Sequence, residues 1–152
     1  MKSRLFALAT ATVLAASPAL AQDASMAVKA RQGQFNIMAP NLGMLGAMAK
    51  GEMPYDAAVA QAAADSLVAV SQINPGPLWP EGSDNFSVDG TRAQPSIWEQ
   101  NDDFVAKWAA YGEAALAMQA GAGGGQEALG PLLGQVGGTC SACHKAHRAP
   151  EN

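Results

Sequence analysis

Apolar residues recur at spacings of three and four over four stretches of the chain, and glycines and prolines separate those stretches. The first runs from about Ala24 to Lys50, where Arg31, Phe35, Met38, Leu42 and Leu45 fall on one helical face. Pro40 lies inside it and predicts a kink, because proline lacks the backbone donor and crowds the carbonyl four residues back. Gly51 is the expected stop. The second stretch runs from Pro54, a residue suited to a first helical turn, to about Ile73. Asp56 sits near its positive dipole end, with Ala58, Ala62, Leu67 and Val70 on the apolar side. The third starts at Ser96, where Ser96-Ile97-Trp98-Glu99 matches a capping box. Ile97, Phe104, Trp108, Tyr111, Ala115 and Met118 continue it as a stripe up to "AGAGGG". The fourth runs from about Gln126 to Arg148. Between the second and third, "NPGPLWPEGSDNFSVDG" is dense in breakers and has no sustained period, so it reads as a loop. Trp79, Phe86 and Trp98, in and after that loop, read as packed aromatics. Met44 and Met48 read as core or as surface between two copies. No segment alternates as a strand would. Four helices with short connections and one long loop predict an all-α antiparallel bundle.

The N-terminus changes the compartment. Lys2 and Arg4 precede the apolar "LFALATATVLAA", which is too short for a membrane helix. Ala19-Leu20-Ala21 then offers a small-x-small cleavage site. Residues 1–21 therefore read as a signal peptide and residues 22–152 as one exported domain. The full chain has 9 basic and 13 acidic residues, a net charge of −4. Without Lys2 and Arg4 the balance is 7 against 13, or −6, which argues against nucleic acid or an anionic membrane as partner. Aromatic residues make up only 6% of the chain, so the middle of the bundle calls for some other filling.

The only two cysteines and the only two histidines lie within eight positions near the end, in "GGTCSACHKAHR". Leu129, Leu132, Leu133 and Val136 share a helical face with Cys140, Cys143, His144 and His147, so the cluster extends the core side of the last helix. Cys140-Ser141-Ala142-Cys143-His144 is C-x-x-C-H, the attachment pattern for c-type haem. Two thiols one turn apart can each add across a vinyl group on one porphyrin edge, and the next histidine then reaches the iron. Three other readings compete. A redox dithiol would follow a strand in a βαβ unit. A zinc site would require one straight helix to wrap four ligands into a tetrahedron. A Cys140–Cys143 disulfide would close a tiny, strained loop. His147 shares His144's side of the helix and reads as packing at the haem edge.

The late C-x-x-C-H, with "VKARQGQF", "PYDAA" and "PSIW" upstream, resembles cytochrome c′, the class II c-type cytochromes of bacterial periplasms. The resemblance implies a left-handed four-helix bundle, one covalent haem c per chain, a homodimer, and high-spin iron held by one histidine. It implies thioether bonds at Cys140 and Cys143 and His144 as the iron ligand. Arg31 and Gln32 match positions that approach the haem propionates, Thr91 a loop position touching the haem, and Arg148 the basic residue beside the proximal histidine. The family often has tyrosine where this chain has His147. Its six-coordinate relatives place a methionine where Phe35 stands here, so the sixth position is expected to be open, with Phe35 over the iron. Diatomic gases are then the expected ligands: nitric oxide, and carbon monoxide weakly. A methionine-ligated electron carrier, with Met38 as ligand, is the alternative, and either form would exchange electrons with an unidentified redox partner. An enzymatic role is not expected, because the first helix has no histidine to move protons.

Overall fold

In a computed structural model describing residues 24–151, the four predicted stretches become five α-helices. These are α1 (Ala24–Lys50), α2 (Ala57–Ser71), α3 (Ser96–Glu99), α4 (Asn101–Gly121) and α5 (Gln126–His147). Short 3₁₀ turns occupy Gly76–Leu78 and Ala122–Gly124. The four long helices form an antiparallel bundle in which α1 packs on α2 and α5, and α4 packs on α2 and α5. The signal-peptide reading of residues 1–21 lies outside the described residues.

Helix ends follow local chemistry. Gly51 turns the chain at φ 72°, a conformation cheap only for glycine, and its N–H bonds the Met48 carbonyl at 3.0 Å. Helix α2 begins later than Pro54, because the Asp56 carboxylate caps the Ala58 and Val59 amides at 2.9 and 3.0 Å. Tyr55 is thereby free to close the far end of the bundle. Its hydroxyl donates to the Ala122 carbonyl and accepts from the Gly125 amide. Gly125 has φ 125°, and a Cβ there would meet Glu127 Oε1 at 2.7 Å, so the α4–α5 corner requires glycine. Pro40 lies inside α1, which continues through it. The Asn41 side chain donates to the Ile37 carbonyl on that interrupted turn.

Four expectations are corrected. The Ser96 capping box does not form, because the Ser96 hydroxyl is drawn to the Ala146 carbonyl and His147 Nδ1 on α5. The chain then leaves helical geometry at Gln100, so the single third helix becomes α3 and α4. On α2, Ala58 and Ala62 face outward, whereas Ala60, Ala63 and Ala64 are buried. Phe86 is not packed; it stands 83% exposed.

The core is in two parts. Leu45, Met48, Leu67, Met118, Leu129 and Val136 are fully buried in the main cluster, each large side chain contributing about 1.5–3 kcal/mol. A smaller cluster joins Ala93, Ile97 and Phe104, with Trp79 and Trp98 against it. Between them lies a cavity of about 430 Å³, reached by Met38 and Tyr111 from one cluster and Ile97 and Phe104 from the other.

Candidate haem-binding site

Three elements bring the sequence-predicted residues to this cavity. Helix α5 contributes Cys140, Cys143, His144 and His147, with Arg148 at its C-cap. Helix α1 contributes Arg31, Gln32, Phe35, Met38 and Leu42. The segment before α3 contributes Trp79, Thr91 and Arg92. The i, i+3, i+4, i+7 spacing on α5 therefore faces inward, as its apolar neighbours Leu129 and Val136 do.

Cys140 and Cys143 are free, half-buried thiols. Burial pushes both above the ordinary thiol value, with Lys107 partly opposing this at Cys143. A redox dithiol needs a lowered thiol pKa, so this environment does not suit one. His144 stands at the cavity edge. Partial burial, then the charges of Arg148 and Arg92, hold its imidazole below the usual value. It is therefore neutral at pH 7, with a lone pair for a metal. Among the described residues neither of its ring nitrogens has a hydrogen-bond partner.

His147 is only 3% exposed, and its nitrogens are both engaged. Nε2 lies 3.0 Å from Asp103 Oδ2 and Nδ1 2.9 Å from Ser96 Oγ. The ring also meets Phe104 edge-on at 5.9 Å. Asp103 itself bonds Lys107. That bond, and then His147, hold its carboxyl below the usual carboxylate range, against some desolvation. With both nitrogens committed, His147 has no donor left for a metal, so the zinc reading loses its fourth ligand.

Arg31 is 2% exposed and, among the described residues, has no carboxylate in contact. Nη1 donates to Ser83 Oγ at 2.7 Å and, weakly, to the Leu78 carbonyl at 3.5 Å. Nη2 donates to the Ser83 carbonyl and to Thr91 Oγ1 at 2.8 Å. The guanidinium also lies 4.3 Å from the Trp79 ring centre. Burial pushes its pKa down to about 10, with Asp84 opposing the shift, so it stays charged at neutral pH. Gln32 Nε2 donates to the Gly90 carbonyl at 2.7 Å. Both first-helix residues thus line the cavity while holding the loop that closes it.

Sequence reasoning passed over Ser83, Asp103 and Arg92. Asp103 carried a signal, the i, i+4 spacing to Lys107 on a helix. Ser83 carried none. Arg92 sits beside the C-terminus: its Nε donates to the Ala149 carbonyl at 2.8 Å, and an antiparallel bridge pairs Ala93 with Arg148.

The cavity fits a haem. It is concave, mostly apolar, and edged by two thiols and a neutral imidazole. Trp79 and Trp108 stand in its wall, and among the described residues their buried indole N–H groups have no hydrogen-bond partner.

Comparison with known proteins agrees. The family model described as Cytochrome C' matches residues 26–148. Cytochrome c' of Cereibacter sphaeroides is 46% identical over 140 residues, covering 91% of this chain and 94% of that protein. Cytochrome c-554 of the same organism is 42% identical, covering 93% and 95%. Among solved structures, a cytochrome c' from Rhodobacter Spheriodes superposes with TM-score 0.81 at 45% identity, covering 85% of this chain and 99% of that one. A nitric oxide complex of a variant cytochrome c prime from Alcaligenes xylosoxidans superposes with TM-score 0.74 at 32% identity, covering 84% and 97%. The chain belongs to the cytochrome c′ family, whose cofactor is covalently held haem c.

Proposed function

We propose that this protein is an exported gas-binding haem protein, with His144 as the single protein ligand to a high-spin iron. Nitric oxide is the principal ligand and carbon monoxide a weak one. The observation that carries the reading is the wall supplied by α1: Phe35, Ala39 and Leu42 have no lone pair to offer, and Met38 is buried at 6% exposure within the main core cluster. A second feature supports it. Haem-ligating histidines gain basicity from an acceptor on the other ring nitrogen, and no described residue offers one to His144, which supports a bond to iron that nitric oxide can break. Haem supplies the iron that binds the gas and cycles by one electron; the chain supplies the ligand, the apolar wall and the arginines. The commitment of the two histidines to ligation and to the Ser96–Asp103 contacts supports a binding role.

Met38 also lines the cavity, which favours a methionine-ligated electron carrier as the second reading. An absorption spectrum of the reduced protein separates the two. The expected result is a high-spin ferrous spectrum and a five-coordinate nitric oxide complex. Phe35→Ala should raise carbon monoxide affinity about tenfold, equivalent to about 1.4 kcal/mol of steric cost removed. A low-spin ferrous spectrum that turns high-spin in Met38→Ala would establish the electron carrier instead.

Export and self-association belong to the same proposal. The order of charged, apolar and small residues in residues 1–21 supports a cleaved signal and a periplasmic location. Exposed apolar residues on α1 and α2, Ile37 at 50% and Val59 at 38%, support a homodimer. Intact mass should match a chain starting near Gln22, and light scattering should give a dimer across dilution. A retained Met1, or a monomer at high micromolar concentration, would overturn the respective claim.

A further inference from the structure

We infer that His147 is a positioning residue: held between Ser96 and Asp103, it fixes the last turn of α5 and so the orientation of His144 toward the haem. This rests on the reading of His144 as the iron ligand.

The physical argument begins with what His144 lacks. A metal-ligating histidine is normally oriented by a hydrogen bond from its second nitrogen, and no described residue accepts one here. The ring can then be oriented only through its own backbone. That backbone is tied down within one turn. The Gln94 amide donates to the His147 carbonyl at 2.9 Å, Ser96 Oγ to the Ala146 carbonyl at 3.0 Å, and the Ala149 amide to the Arg92 carbonyl at 2.8 Å. Among the described residues, the His147 side chain supplies the hydrogen bond from this turn to α4. Asp103 is acceptor-only as a carboxylate, so Nε2 carries the proton it receives. The Ser96 hydroxyl has a single proton and stands between Nδ1 and the Ala146 carbonyl, so ring and backbone converge on one oxygen. Lys107, one turn along α4, bonds Asp103 and keeps that carboxylate aimed at the ring. Phe104 blocks rotation of the imidazole from the side. The chain Lys107–Asp103–His147–Ser96 thus spans α4, α5 and α3 and meets one residue-turn from the ligand.

The test reads the iron–histidine bond directly, by resonance Raman spectroscopy of the ferrous haem-loaded protein. His147→Phe keeps the buried ring against Phe104 and loses both hydrogen bonds. Its iron–His144 stretching band should move to lower frequency and broaden, because the ring samples several tilts. Asp103→Ala should shift the band in the same direction by less, and it serves if His147→Phe does not fold. Asp103→Glu should restore the wild-type band. Tyr55→Phe, which loosens the opposite end of the bundle, should lower the unfolding temperature and leave the band in place. A band unmoved in both His147→Phe and Asp103→Ala would overturn the inference, and so would a band that moves equally in Tyr55→Phe. A low-spin wild-type spectrum would overturn the open-site reading alone. In that case the band is read in the transient five-coordinate state after photolysis of bound carbon monoxide, with the same expected and contrary outcomes.

Discussion

Serine at both Cys140 and Cys143 is expected to yield a protein from which acidified acetone removes all the haem, whereas the wild-type polypeptide keeps its colour. The two sulfurs are free and line the cavity one helical turn apart, and once they are gone only His144 and packing hold the cofactor. Either single serine variant keeps one thioether and stays coloured. Loss of the cofactor should reach the fold itself. An unfilled cleft of about 430 Å³, taken at about 24 cal/mol per Å³, would cost at most on the order of 10 kcal/mol, comparable to the whole stability of a typical domain. Water entry and loop collapse reduce that figure without changing its sign. The haem-free double variant should therefore lose its cooperative thermal transition in circular dichroism. A sharp transition near the wild-type temperature in that protein would show that the two clusters close on each other unaided. Haem retained through acid–acetone in the double variant would refute the attachment.

The parts of this molecule that were readable in advance are those in which one residue acts on its own neighbours. Gly51 and the glycine run through Gly125 stop helices by backbone conformation alone. The ligand cluster could be placed on the inner face of α5 because larger apolar residues, Leu129 and Val136, set that face before it. On α2 the same reasoning failed: alanines surround the helix, so periodicity could not distinguish the buried Ala63 from the exposed Ala62. The Ser96 capping box failed for another reason. A hydroxyl has one proton, and the partners that draw it, the Ala146 carbonyl and His147 Nδ1, lie 50 and 51 positions away, invisible to a local pattern. The loop was legible only as a loop. That a buried arginine gathers it, through a serine with no motif of its own, is a tertiary fact.

Replacing that arginine with leucine is expected to release the loop from Leu78 to Thr91 while leaving the four long helices in place. Four donors of Arg31 end on this segment, and Ser83 beneath them is fully buried. Burial pushes the Arg31 pKa down to about 10, which corresponds to a desolvation penalty of about 3 kcal/mol. Charge-assisted hydrogen bonds contribute about 1.5–3 kcal/mol each, so even the three shorter ones outweigh it and the buried cation is net stabilising. Leucine removes the penalty, but it strands the Ser83 carbonyl, at about 1–3 kcal/mol for a buried group left unpaired, and leaves Thr91 Oγ1 with the Ala93 amide alone. The expected loss is about 3–5 kcal/mol, and with it a fall of on the order of 15 °C in the unfolding temperature of the haem-loaded protein. Lysine at this position keeps the charge but cannot fork toward two oxygens at once, so it should fall between the two. The site of the damage can be read separately. Phe86 is 83% exposed, yet chymotrypsin can cut beside it only where the backbone yields locally. Wild type should resist while Arg31→Leu is nicked within the loop before the helices melt. A variant that melts with the wild type and resists the protease equally would show that the loop is held by its own turns, the Asp84 carboxylate on the Phe86 and Ser87 amides foremost, and not from α1.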